Sequence, residues 1–550
     1  MRMRMAVVAV VAALGLVGCV GLPTSGPVSA GEVEEGVDLG DVEFIAEGPT
    51  PGASQEEIVQ GFLQAALSPA DDFSIARDYL ADGAEWDPSA GVTLRSGQPQ
   101  LTSADQATVE AAVDVVGSVD EHGAFSSVAG EAARRTYVLI EQRGEWRIAD
   151  APDGLVLSRY SFERLFDSQT LAWYTEDRAG FVPEVRWFQR TTEALPGSIV
   201  DAVLAGPVAW LAPAVWSAAD ADAERVGDVA LDDAVAEVTV SFEQVQESSS
   251  VELSMLAMQV QQSMSRLGVT EVVIGIDGVD GYSASSRDAP DTTPPSVDAR
   301  PIVVADGELT YVGQGAALDV DLGLDLEAAD ATSLTIREDD GLAVALAAGQ
   351  VLRLVPGIAP TVLDAGVTVA PSLDRAGWAW WVPDPATQAI VASDGQREVV
   401  LGLPDLQGSI RDVEVSRDGA RIAIVTETAG GTAAWVAGIV REGGAPVAVA
   451  PPQRMPQVTG TPTDVAWASP TSVAVLTTAG DGQQLVLLTV GGATQQLPTP
   501  QDAITQLAGG IGGSAVLRAR SAVGDLLVLR GTQWQPASGV DDVRLVAVQL

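Results

Sequence analysis

One unit recurs along the second half of the chain. In Ser416-Arg417-Asp418-Gly419-Ala420-Arg421-Ile422-Ala423-Ile424-Val425 a polar turn leads into a β-branched run. Ser372-Leu373-Asp374-Arg375-Ala376-Gly377-Trp378-Ala379-Trp380 echoes it 44 residues earlier. Asp464-Val465-Ala466-Trp467-Ala468, followed by Ser472-Val473-Ala474-Val475-Leu476, echoes it about 50 residues later. A period of about 40–50 residues is that of a four-stranded propeller blade. From Pro301 onward helical periodicity is largely missing, and short Val, Ile, Leu and Ala strands alternate with Gly, Asp and Pro turns. The expectation is a β-propeller-like domain over 300–550. Asp418-Gly419 fits a hairpin turn, where glycine supplies positive φ, better than it fits a metal or catalytic aspartate.

The start of the chain constrains where such a domain works. Arg2 and Arg4 precede the apolar run Met5 to Val17, which is a positive n-region and an h-region too short to span a membrane comfortably. Leu16-Val17-Gly18-Cys19 ends it and matches a bacterial lipobox, and Cys19 is the one cysteine of the sequence. The reading is a lipoprotein signal peptide over 1–18. Cleavage leaves Cys19 as an N-palmitoyl, S-diacylglycerol cysteine that anchors the chain to the extracytoplasmic face of the cell membrane. Each buried CH₂ contributes about 0.8 kcal/mol, so two or more acyl chains hold stably where one would not. Residues 19–52, rich in Gly, Pro, Ser and acid, read as a tether with an r.m.s. reach of about 30 Å. The formal net charge of -45 sets the body against phosphate backbones, so nucleic acid is not expected as a partner.

Composition removes several chemistries. The sequence has no lysine, so all 30 basic residues are arginine, and neither a Schiff base nor a P-loop lysine can be built. With Cys19 lipidated no thiol remains for a Cys/His zinc site. A Ser-His-Asp triad would have to use His122, the single histidine, in the polar turn-like stretch Asp120-Glu121-His122-Gly123, where a solvated loop is the simpler reading. The 75 acidic residues guarantee coincidental carboxylate pairs, which therefore signal nothing by themselves. No catalytic residue, cofactor or metal site is assigned, and the chain is read as a non-enzyme. Ala202 to Ala219 is charge-free, but Pro207 and Pro213 favour a buried helix-turn over a membrane span.

Two α+β domains are expected between tether and propeller. The first, 53–155, opens on the Ser-x-x-Glu capping box Ser54…Glu57, with Ile58, Phe62 and Ala65 on one helical face. A second short helix follows Ser74, carrying Ile75, Tyr79 and Leu80 inward. Strands follow over Thr108–Val119 and Arg134–Ala149, with Arg143-Gly144-Glu145 turning the last hairpin. This order resembles nuclear-transport-factor-like or cystatin-like α+β domains. The second, 182–283, reads as a strand at Val185–Gln189 and a helix capped by Thr192 and stopped at Gly206-Pro207. A strand with Val238, Val240 and Phe242 comes next, then a helix with Leu253, Leu256, Val260, Met264 and Leu267, and a strand with Val272, Ile274 and Ile276. Met255, Met258 and Met264 read as core filling. Ser285 to Pro301 reads as a linker.

That strand-helix-strand-helix-strand order, with Leu204-Ala205-Gly206-Pro207, resembles the GerMN domain of spore-germination and actinobacterial envelope proteins. The whole order, with Leu22-Pro23-Thr24-Ser25-Gly26, Phe73-Ser74-Ile75-Ala76-Arg77 and Leu195-Pro196-Gly197-Ser198, resembles the LpqB family of actinobacterial lipoproteins. The resemblance implies a partner: the extracellular domain of an MtrB-type sensor kinase in the MtrAB two-component system, which governs envelope and division control. It leaves open an envelope binding protein for a cell-wall glycan, peptide or lipid, and a hydrolase using propeller carboxylates.

Overall fold

The computed structural model describes residues 46–190, 193–242, 250–279, 281, 283–292, 298–305, 307–313, 321–480, 482–492, 494–509 and 517–550. Cys19 and the tether before residue 46 lie outside the described residues.

The first domain begins as the capping box dictates. Ser54 caps helix α1 (Gln55–Ala65) by accepting the Glu57 N–H while the Glu57 carboxylate takes the Ser54 N–H, and Ile58, Val59, Phe62 and Ala65 are buried. Helix α2 (Ala70–Arg77) is broken by a left-handed turn at Asp71, Asp72 and Phe73, so its right-handed part starts at Ser74 as the sequence suggests, and it ends before Tyr79, which is nevertheless buried. The sheet contains β1 (Val92–Ser103), β2 (Thr108–Val119), β3 (Phe125–Gln142), β4 (Glu145–Asp150) and β5 (Leu155–Ser158), in the order β4-β3-β2-β1-β5. The first four strands are antiparallel, and β5 adds to β1 in parallel. Phe62, Phe73, Trp86 and Tyr137 meet edge to face between helices and sheet.

Helix α3 (Arg159–Leu165) leads into the second domain, which opens on a hairpin of β6 (Phe166–Tyr174) and β7 (Phe181–Gln189). Helix α4 (Leu195–Ala205) follows. Ala194 occupies its N-cap and Pro196 its first turn, so the helix starts beyond Thr192, which lies outside the described residues. Strand β8 (Val235–Ser241) runs parallel to β9 (Glu271–Ile276), with α5 (Ser250–Ser263) as the crossover. Met255 and Met264 are buried, as core filling requires, whereas Met258 is only half-buried. Ala202–Ala219 is the end of α4 followed by a short 3-10 turn, and no described helix is long and apolar enough to cross a membrane. The linker reading fails at its start. Ser283–Ser285 pairs with β9, and buried Ser286 accepts the Val272 N–H through its hydroxyl.

Among the described residues the remainder forms six blades of a propeller. The inner strands are Ala331–Ile336, Ser372–Leu373, Ser409–Val415, Thr461–Ser469, Ile504–Ala508 and Val543–Val546. Each touches the next, and the last touches the first, so the ring is closed. Closure joins distant parts of the chain. Val543–Val546 supplies the inner strand to a sheet whose other described strands are Ile302–Ala305 and Glu308–Tyr311, and Val548–Gln549 adds in parallel to the first blade.

Candidate functional site

Two polar assemblies draw most of the buried charge of the chain: a joint between the three domains and a seam inside the propeller ring. The joint is built on β7, whose alternation turns Glu184 and Arg186 to the same side. Both are buried, and they form an ion pair. Glu184 Oε2 also accepts Trp173 Nε1 at 2.9 Å and the Val208 N–H at 3.2 Å. Arg186 donates to the His122 carbonyl at 3.2 Å and the Gly206 carbonyl at 3.0 Å. The Leu-Ala-Gly-Pro motif thus has a physical role: Gly206, at φ +89°, ends α4 so that its carbonyl meets Arg186. A buried ion pair is costly unless its remaining donors and acceptors are satisfied, and here backbone groups of two domains satisfy them.

Trp187, on the opposite side of β7, reaches the propeller. Its Nε1 donates to the Gly491 carbonyl at 2.7 Å, and its ring packs on Phe162 of α3. From the propeller side, Arg421 is fully buried and donates to the Pro183 carbonyl at 3.1 Å and the Pro470 carbonyl at 2.7 Å, besides pairing with Asp418. Asp418-Gly419 is the expected turn, with Gly419 at φ +72°; its aspartate also fixes Arg421. Gly438 in the third blade is needed for contact, because a Cβ there would lie 2.8 Å from the Trp210 carbonyl and the Ala214 methyl. Ala420 belongs to the core of the second domain. The gap left at the joint, between Phe125, Val185, Trp210, Met455 and Gly491, holds about 30 Å³, space for a water and no more. A larger cavity of about 280 Å³ lies within the second domain beside Arg178, Trp216, Asp220 and Glu252.

The seam runs around the inner strands. Ser372 Oγ accepts the Val415 N–H at 3.0 Å, Asp412 the Val465 N–H at 2.9 Å, and Asp464 the Leu507 N–H at 2.6 Å. Gln506 bonds both the N–H and the carbonyl of Val546. Each of these side chains latches its blade to the following one. A register shift just before Asp412, Asp464 and Gln506 aims them sideways instead of along the sheet. Asp412 and Asp464 also hydrogen-bond each other, and burial holds the Asp412 carboxyl well above the usual range and that of Asp464 at about 6. Glu414 accepts the Trp467 N–H at 3.2 Å, and burial followed by the nearby Asp464 pushes it up to about 8. Arg417, next to Glu414, donates to the Gln549 carbonyl at 3.0 Å.

Of the residues singled out in the sequence, Cys19 lies outside the described residues. His122 is half-buried in a turn where Asp120 Oδ1 accepts the N–H groups of His122 and Ala124. The solvated-loop reading is corrected to that extent: the turn is a domain contact through the His122 and Gly123 carbonyls, the latter accepting the Trp187 N–H. The imidazole takes no part beyond a 3.7 Å approach to Glu121. Sequence reasoning missed Arg186, Arg421 and the seam carboxylates. One signal was present, since Asp412-Val413 and Asp464-Val465 recur one blade apart. Among the described residues no cluster of three His, Cys, Asp or Glu is arranged to hold a metal ion.

Residues 48–163 match the family model described as the lipoprotein LpqB N-terminal domain, and 307–545 match the lipoprotein LpqB beta-propeller domain. The chain belongs to the LpqB lipoprotein family. Residues 167–281, between them, match a model described as sporulation and spore germination. The lipoprotein LpqB of Cutibacterium acnes is 31% identical over 278 residues, which cover 50% of this chain and 44% of that protein. That of Streptomyces avermitilis is 25% identical over 577 residues, 94% of each. The matches to the Cutibacterium acnes protein and to that of Rhodococcus opacus, where 33% is covered, thus span less than half of those relatives. Among solved structures, TolB from Acinetobacter baumannii is 12% identical with a TM-score of 0.35, covering 60% of this chain and 99% of TolB.

Proposed function

We propose that this LpqB-family chain is a non-enzymatic lipoprotein, anchored through Cys19 on the extracytoplasmic face of the cell membrane, that binds and modulates the extracellular domain of an MtrB-type sensor kinase. The observation that carries the reading is how the buried charge is used. Arg186 and Arg421 bond backbone groups of a neighbouring domain, Asp412, Asp464 and Glu414 bond those of the next inner strand, and Glu184 pairs with Arg186 and holds the Val208 N–H. Their chemistry is spent on holding the modules and blades to one another, which suits surface recognition better than turnover. Tethering both proteins to one membrane raises their effective concentration without any new contact.

The test is direct binding between the mature chain and the sensor's extracellular domain, together with phosphorylation of the response regulator in cells. Cys19→Ser should leave an unlipidated precursor or shed protein into the medium, and should weaken signalling. An unmodified thiol on membrane-bound protein would remove the anchor. Unchanged phosphorylation in the Cys19→Ser strain, with no measurable binding, would remove the regulator.

A further inference from the structure

In a chain this acidic, one surface stands out by carrying arginines in excess. Helix α3 is short, and its positions divide cleanly: Phe162 packs on Phe166 and Trp187, whereas Arg159, Tyr160, Glu163 and Arg164 are exposed along one side. Among the described residues neither Arg159 nor Arg164 has an ion-pair partner within 4 Å. Two further arginines extend the patch. Arg190 closes the end of α3, donating to the Glu163 carbonyl at 3.1 Å and the Phe166 carbonyl at 2.9 Å. Arg266 donates to the Ser168 carbonyl at 2.7 Å. Asp167 lies 4.0 Å from one and 3.8 Å from the other, so Arg190 and Arg266 share a single carboxylate. Tyr160, 48% exposed, puts an amphipathic ring in their midst.

We propose that this patch, Arg159, Tyr160, Arg164, Arg190 and Arg266, docks on the anionic lipid headgroups of the membrane that holds the chain, and so fixes which way the body faces. The inference rests on the anchored reading given above. An acidic body on a tether of about 30 Å reach is repelled by a negative leaflet over most of its surface. Screening limits that field to about 8 Å, so only the face nearest the lipid counts. The orientation of lowest energy therefore presents the arginine-rich face, and guanidinium groups with a tyrosine among them suit the headgroup layer. Packing of Phe162 against Trp187 makes the patch rigid with respect to the joint. Docking through α3 would therefore orient all three domains at once.

The test uses the full mature chain coupled through the Cys19 thiol to a maleimide lipid, so it does not depend on whether cells lipidate that residue. A failure of lipidation would appear separately, in the mass of the native N-terminus. Phenylglyoxal modification of Arg159 and Arg164 is followed by peptide mass analysis, with exposed Arg530 as internal reference. On phosphatidylglycerol vesicles modification should slow about fivefold relative to phosphatidylcholine vesicles, and the difference should vanish at high salt. In the Arg159→Glu/Arg164→Glu chain, Arg190 and Arg266 should lose their protection as well. Equal rates on both vesicle types overturn the proposal. So does protection already present without vesicles that disappears on deletion of residues 32–43, which would give the patch to the acidic tether.

Discussion

Arg421 Nη1 and the Pro183 carbonyl oxygen, 238 residues apart in sequence, lie 3.1 Å from each other and tie the third propeller blade to the strand that holds the other two domains. The same guanidinium pairs with Asp418, bonds the Pro470 carbonyl and lies over the Trp467 ring at 4.8 Å. One side chain thus serves a turn, a neighbouring blade and a second domain.

Its removal is expected to be expensive. Arg421→Ala leaves Asp418 without its cation and two carbonyls without their donor, in a site closed to solvent. Breaking a buried pair of this kind costs about 3–5 kcal/mol. Calorimetry should show a lower unfolding temperature for the propeller, with the second domain melting apart from it. A single transition within about 2 °C of the unaltered chain would contradict the role given to this residue.

The seam carboxylates make stability depend on pH in a direction opposite to the usual one for acids. Their folded values lie above the ordinary range, at about 6 for Asp464 and about 8 for Glu414, and Asp412 is raised also. The fold therefore prefers their protonated forms. Their contribution is complete below about pH 4, where the unfolded chain is protonated too, and is lost as pH rises through the folded values. At about 1.4 kcal/mol per unit, Glu414 alone is a swing of a few kcal/mol. Urea midpoints should be higher at pH 5 than at pH 8.5, and Glu414→Gln should reduce the difference. A midpoint that rises between those pH values, or a Gln variant with an unchanged slope, would mean that these groups do not titrate as stated.

What was legible in the sequence was local. The capping box at Ser54 and Glu57, the strand Thr108–Val119, the strand-helix order of the second domain and the burial of Met264 all follow from periods and caps confined to a few residues. Strand β1 was missed because its middle, Ser96-Gly97-Gln98-Pro99-Gln100, breaks register where it pairs with β2, so no alternation survives to be read. The blade recurrence showed a propeller but not its closure, which pairs Val303 with Val546. The joint was hidden for the same reason. Glu184 and Arg186 look like ordinary strand polar residues until Gly206, His122 and Trp173 are brought around them.

The turn at His122 separates a side-chain role from a backbone one. The imidazole is 39% exposed and 3.7 Å from Glu121, so His122→Ala should change stability by no more than about 0.5 kcal/mol, the range of ordinary surface substitutions. Gly123 is different. It has φ +82°, and a Cβ added there would lie 2.6 Å from the Trp187 carbonyl oxygen, a backbone atom that cannot rotate away. Gly123→Ala therefore meets both a conformational penalty and a collision at the contact between the first domain and β7, together about 2–3 kcal/mol. The loss should be read as increased proteolysis between the first two domains, with the propeller transition left in place. If His122→Ala proved the more damaging of the two, the imidazole would have a function that the geometry of this turn does not supply.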